Sequence, residues 1–255
     1  MLIDTHAHLT DDAFKNDVDE VLKKCKDKMV EKIITSGFDL ASSKEAISFC
    51  EKHENVFASV GIYPENIYDF DSDVENKLFE LARNEKVVAI GEIGLQYTDN
   101  MPDKEKQKDA FLRQIKMAYT LKKPIVIHCR DAYGDTIEIL EKNKQFLSYG
   151  GTMHCFGGSV EIAQRLVSWG LYISVGGVST FKNAERLRGV LSEVPLEKIL
   201  LETDCPYLTP APFRGQRNDP SFIPIIAENL AKLKGATVEE VANITSQNAR
   251  RLFNI

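Results

Sequence analysis

The chain has 255 residues, 43% of them hydrophobic and 27% charged, a globular composition long enough for one large core. A net charge of −6 argues against the broad basic face that supports general nucleic-acid binding. No stretch approaches the roughly 20 consecutive apolar residues of a membrane helix. Five widely spaced cysteines, with no Cys-x-x-Cys pair, fit neither a disulfide framework nor a structural zinc knuckle and are expected to be free thiols. Residue 2 opens a strand-like segment where a basic and then apolar leader would stand, so a cytoplasmic protein is expected, with no membrane and no stable protein partner.

The first informative stretch is Leu2-Ile3-Asp4-Thr5-His6-Ala7-His8. On extended backbone, side chains at i and i+2 project from one face, so His6 and His8 can converge on a single point such as a metal ion. Taken alone, His-x-His is equally a pair of packed or surface imidazoles.

Further along, seven more β-rich runs follow the first at residues 2–6: 32–36, 56–62, 87–93, 124–128, 151–154, 171–175 and 198–204. Helical periodicity fills the gaps at 17–26, 44–53, 74–84, 103–121, 136–142, 160–169 and 184–192. The mean repeat is about 28 residues, as eight βα units in roughly 250 residues require. Val87-Val88-Ala89-Ile90 and Ile125-Val126-Ile127 are apolar on both faces, as parallel strands between a barrel interior and a helix layer should be. A doubly wound open sheet is the rival, but no Gly-x-Gly-x-x-Gly follows the first strand. A (β/α)8 TIM barrel spanning 1–255 as one domain is therefore predicted. After the eighth strand come a Pro-rich loop over 206–224, a helix over 225–234, and a last helix whose Thr237-x-x-Glu240 pattern reads as a capping box.

In such barrels the chemistry lies at the carboxyl ends of the strands. Six candidates fall there: His6 and His8 after strand one, Glu92 late in strand four, His128 ending strand five, His154 ending strand six and Asp204 ending strand eight. The fifth histidine, His53, ends a helix and is expected to be solvated. Glu92 could be an ordinary ion-pairing carboxylate, and Asp204 could cap a turn. Together, though, six such residues would incur a desolvation cost at one end of one barrel unless they share a purpose. Four imidazoles and two carboxylates exceed the needs of one four-coordinate ion, so two divalent ions are expected, with zinc, magnesium and manganese all admissible. Glu92 is the expected bridge, with His6, His8 and Asp204 completing one site and His128 and His154 the other. Water held between ions about 3.5–4 Å apart would become the nucleophile, and Asp204 would take its proton. Cys129, Cys155 and Cys205 each follow a proposed ligand directly and are expected to point away from the ions.

Arg130, two residues past His128, and Arg214 in the loop 212–218 are candidate phosphate-binding residues, because guanidinium makes bidentate contacts to phosphate. Arg217 in the same loop is as readily a carboxylate-paired surface arginine.

These motifs resemble the TatD family of metal-dependent deoxyribonucleases, within the amidohydrolase-like barrels. The resemblance is carried by Ile3-Asp4-Thr5-His6-Ala7-His8, Gly91-Glu92-Ile93-Gly94-Leu95, the 124–132 segment through His128-Cys129-Arg130, His154-Cys155-Phe156 and the 202–210 segment that opens Glu202-Thr203-Asp204-Cys205-Pro206. Arg214-Gly215 through Asn218 and the terminal Asn248-Ala249-Arg250 also match. The resemblance implies a magnesium-dependent, two-metal phosphodiesterase that removes nucleotides 3′ to 5′ from DNA ends. Three positions depart from the family's usual pattern: Gln96 replaces an acid after the bridging glutamate, Tyr63 stands where a histidine usually precedes Pro64, and Gly157 follows His-Cys-Phe. The alternative is ester or amide hydrolysis by the same ions, such as deacylation of a D-aminoacyl-tRNA or of a small amide. A third reading, a metal-holding scaffold that binds a partner, fits poorly with a full ligand set and an acid placed for proton transfer.

Overall fold

The computed structural model describes residues 1–255. Eight strands form one sheet in sequence order: β1 (Leu2–Ala7), β2 (Val30–Ser36), β3 (Val56–Val60), β4 (Val87–Gln96), β5 (Ile125–Arg130), β6 (Gly151–Met153), β7 (Tyr172–Val175) and β8 (Ile199–Leu201). All seven neighbouring pairs are parallel. Helices follow the strands: α1 (Val18–Asp27), α2 (Leu40–Lys52), α3 (Ser72–Leu81), α4 (Lys104–Leu121), α5 (Tyr133–Lys142), α6 (Val160–Ser168), α7 (Glu185–Glu193) and α8 (Ile223–Lys234), with a terminal α9 (Val238–Phe253). This is the expected (β/α)8 barrel.

The sheet closes between β8 and β1 through side chains and loop backbone rather than a regular ladder. Thr5 Oγ1 donates to the Leu201 carbonyl at 3.0 Å, Asp204 N to the His6 carbonyl at 2.9 Å and His8 N to the Cys205 carbonyl at 2.8 Å. For that reason β8 stops at Leu201, three residues short of the expected end: the backbone of 203–204 is turned towards β1. By contrast β4 runs three residues beyond its expected end at Ile93. The Gln107 side chain of α4 holds Gln96 by its backbone, accepting from its N–H and donating to its carbonyl, both at 2.8 Å.

Apolar residues from strands and helices make the main core between the two layers, including Ile33, Val60, Ile90, Ile127, Ile173 and Leu201. A second cluster places one residue from each of six strands (Ile3, Ile34, Ala89, Val126, Tyr172 and Leu200) against Ala249, Leu252 and Phe253 of α9. Ile3, Ala89, Val126 and Tyr172 lie early in their strands, so α9 covers the amino-terminal end of the barrel. Asn248 pins the helix there, donating to the carbonyls of Leu196 and Ile199 at 2.9 Å each. The Thr237–Glu240 capping box forms as expected at the start of α9. With α9 over the barrel interior at that end, the carboxyl end is where such barrels place their chemistry. No helix is long and apolar enough to cross a membrane.

Candidate metal centre

All six side chains singled out above meet at the carboxyl end of the barrel. His6 lies within β1 and His8 one residue past it, Glu92 within β4, His128 within β5, His154 one residue past β6 and Asp204 three past β8. Both His6 and Glu92 are buried, at 0% and 4% exposure. Asp204 and Cys155 hold left-handed backbone (φ 57° and 44°), local strain that turns the chain sharply where their strands end.

The two carboxylate oxygens of Glu92 face different partners. Oε2 lies 3.4 Å from His6 Nε2 and 3.9 Å from His8 Nε2, while Asp204 Oδ1 stands 3.6 Å and 3.5 Å from the same two nitrogens. Oε1 lies 2.8 Å from both His128 Nδ1 and His154 Nε2, which are 3.1 Å from each other.

The donor set fits divalent cations. Ligands about 2.0–2.1 Å from a tetrahedral ion stand roughly 3.4 Å apart, close to the separations around His6, His8 and Asp204. Buried His6 Nε2 has no hydrogen-bond partner, although it faces two carboxylates. The outer nitrogens set the tautomers. His8 Nδ1 lies 3.1 Å from the Ser36 carbonyl, which can only accept, so the proton sits there and the Nε2 lone pair faces the site. His6 Nδ1 lies 3.2 Å from Ser36 Oγ, itself 2.8 Å from Ser59 Oγ. For His128, Nε2 lies 2.9 Å from Gln96 Oε1, which leaves Nδ1 as the inward lone pair.

Burial, reinforced by the neighbouring His154 charge, lowers His6 to about 4 and keeps it neutral. Burial also works against a charged His154, but the Glu92 carboxylate outweighs it and raises that imidazole to about 10. Glu92 is held well below the usual carboxylate range: burial opposes ionisation, yet the His154 charge and the imidazoles packed against both of its oxygens outweigh it. The same contest, decided by His8, His154 and His6, lowers Asp204, so it is an ionised acceptor at neutral pH.

A cavity of about 530 Å³ opens over this centre, lined by Phe38, Tyr63, Arg130 and Tyr207 as well as the site residues. Arg130 forms part of the cavity wall. Arg214 is not among the lining residues; its guanidinium lies over the Phe181 ring, 4.0 Å from the centroid. Arg217 pairs with Asp17 through two hydrogen bonds of 2.9 and 2.6 Å. His53 lies outside the centre, at the end of α2, against Phe49 beside a separate cavity of about 510 Å³ at the other end of the barrel. Cys129 points to Thr136 of α5 at 3.4 Å, and all five cysteines are unpaired.

Sequence reasoning missed the supporting residues. Glu202 is fully buried behind His154, its Oε1 3.8 Å from Nδ1 and accepting from the Cys155 N–H at 2.5 Å while Ser174 donates to its other oxygen. Burial pushes this carboxyl up to about 7. Tyr63 donates to Gln96 Oε1 at 2.5 Å. That pair was detectable in principle, because two departures from the family pattern occur together and prove to be in contact.

The family model for TatD related DNase matches residues 3–254. An uncharacterized metal-dependent hydrolase, YabD of Bacillus subtilis (strain 168), is 44% identical over the full length of both chains. A 3′-5′ ssDNA/RNA exonuclease TatD of Shigella flexneri serotype 5b is 33% identical, covering 100% of this chain and 99% of its own. Among solved structures, YJJV, a TatD homolog from Escherichia coli k12, superposes with a TM-score of 0.94 at 30% identity, covering 100% of this chain and 98% of its own.

Proposed function

Since this chain belongs to the TatD-related DNase family of metal-dependent hydrolases, we propose that it cleaves phosphodiesters at the 3′ end of a DNA strand, with 1–255 as one catalytic domain. One observation carries the reading: Glu92 turns one oxygen to His6 and His8 and the other to His128 and His154, which sets its carboxylate between two groups of donors. In this reading His6, His8, Glu92 and Asp204 would hold one divalent ion, and Glu92, His128 and His154 a second. Zinc, magnesium and manganese all suit such nitrogen and oxygen donors. Bound there, divalent ions supply Lewis-acid charge and acidify water.

The chain's own groups do the rest. Asp204, ionised and partly open to the cavity, accepts the proton of the attacking water. Arg130 holds a non-bridging phosphate oxygen at the cavity wall, while Arg214, further out on Phe181, meets the next phosphate. Five unpaired thiols fit a reducing compartment and support cytoplasmic activity.

One observation favours a second reading. Beyond the ligand cluster, the cavity presents the carboxylates Asp11 and Glu65 against one arginine, Arg130, a balance that suits the α-ammonium of an aminoacyl ester. The deciding experiment gives metal-loaded protein 3′-labelled single-stranded DNA and, separately, an aminoacyl ester. Nucleotide release that is lost in Asp204→Asn supports the nuclease; ester hydrolysis with DNA left intact replaces it with the second reading.

A further inference from the structure

We propose that Gln96 is the positioning residue for His128, and that with Tyr63 it makes the corner at His128 and His154 the more weakly held and more readily exchanged of the two cation positions. The inference rests on the reading of Glu92, His128 and His154 as one cation corner. It goes beyond that reading by ranking the two corners and naming what sets the difference.

Gln96 is held rigidly enough to act on another residue. Its backbone is clamped in both directions by Gln107, and the side chain is almost buried, at 6% exposure. Its amide nitrogen donates to Thr98 Oγ1 at 3.0 Å and approaches Met101 Sδ at 3.8 Å. The orientation of the amide is thereby set, with Oε1 turned to the site. That single oxygen receives two donors: the Tyr63 hydroxyl at 2.5 Å and His128 Nε2–H at 2.9 Å. Tyr63 Oη also stands 3.1 Å from His128 Nε2, so the imidazole proton is shared between two neutral oxygens.

A neutral acceptor shared in this way polarises an imidazole less than a carboxylate would, and outer partners of this kind tune a ligand's strength. His128 is therefore oriented without being made strongly basic. Glu202, 3.8 Å behind His154 Nδ1, strengthens that one ligand, but two other differences between the corners point the same way as Gln96. Two carboxylates, Glu92 and Asp204, face His6 and His8, whereas Glu92 alone reaches inward to His128 and His154. Donor atoms at the first corner stand 3.4–3.9 Å apart, wide enough for an ion, while those at the second have closed to 2.8–3.1 Å and must separate to admit one.

The test titrates the full chain, stripped of metal, with Zn²⁺ by calorimetry and by competition against a chromophoric chelator. The wild type should take up zinc in two steps separated by at least about tenfold. Loss of the Oε1 acceptor in Gln96→Leu should weaken the second step by roughly 10–100-fold and leave the first unchanged. Gln96→Asp, which replaces the neutral amide with a carboxylate one methylene shorter on the same wall, should tighten the second step by a similar factor, and Tyr63→Phe, which frees Oε1 for His128 alone, should tighten it slightly. Cobalt-loaded Gln96→Asp should show an altered absorption spectrum from the second ion only. If Gln96→Leu fails to fold, Gln96→Asp and Tyr63→Phe decide. A single step in the wild type, or two steps that respond equally or not at all to Gln96→Asp, would overturn the proposal. Absence of DNA cleavage with these shifts intact would count only against the nuclease reading.

Discussion

Asp4 and Thr203, 199 residues apart in sequence, are joined by two hydrogen bonds: Asp4 Oδ1 accepts from the Thr203 N–H at 3.0 Å and Oδ2 from its hydroxyl at 2.5 Å. Oδ1 also accepts from the His6 N–H at 3.2 Å. One buried carboxyl group thus ties β1 to the segment after β8 and sets His6 against Asp204. Burial pushes this carboxyl up to about 8 in spite of its three donors.

Removing that carboxyl group strands buried donors. Asp4→Ala should cost roughly 2–5 kcal/mol in urea unfolding, because each uncompensated buried group costs about 1–3 kcal/mol. It should also weaken zinc at the His6 and His8 corner. A loss below about 1 kcal/mol would mean that the closure is held elsewhere.

Gly94 pairs with His128 across β4 and β5, and a Cβ added there would stand 1.9 Å from the His128 carbonyl oxygen. Its φ of 150° disfavours other residues as well. Gly94→Ala should therefore push the two strands apart, destabilise by at least the roughly 1–3 kcal/mol of an overpacked core, and lower the zinc content of the second corner. Thermal unfolding and metal analysis check both effects; an unchanged Tm with full metal content would contradict the packing.

The pH dependence of metal uptake follows from His154. Its pKa is raised to about 10, so at pH 7 it carries a proton that must leave before Nε2 can bind a cation. Affinity should rise with pH throughout the range below about 10, with net proton release on binding. His6, lowered to about 4, is already neutral at pH 7 and releases none. Calorimetry in buffers of different ionisation enthalpy counts the released protons, and His154→Ala should lower that count. Uptake without proton release would refute the assignment.

Arg130 and Arg214 should separate in a kinetic comparison. Arg130→Ala, at the cavity wall, is expected to raise KM for DNA about tenfold, as loss of one charge-assisted contact of roughly 1.5 kcal/mol implies, with metal content unchanged. Arg214→Ala should do less, since its guanidinium rests on Phe181 and does not line the cavity. Equal effects would place the scissile phosphate further out than the Glu92 centre implies.

Much of this molecule was legible in the order of its residues. The alternation of doubly apolar runs with helical periods revealed eight βα units, because burial between two layers leaves that imprint on each strand by itself. The six residues of the centre were legible too, as imidazoles and carboxylates are costly at buried strand ends and stand out there. Local capping, as at Thr237 and Glu240, follows from spacing alone.

What only the tertiary structure decided are relations between distant segments. That Glu92 divides its oxygens between two histidine pairs, that Gln96 shares one oxygen between Tyr63 and His128, and that Asp4 reaches Thr203 depend on strands far apart in the chain. The places of Arg130, in the cavity wall, and Arg217, paired with Asp17, likewise diverged only on folding. The physical reason is that periodicity reports how each segment meets its own surroundings, whereas a hydrogen bond or ligand contact is set to tenths of an ångström by strand register and barrel closure, which no single segment encodes.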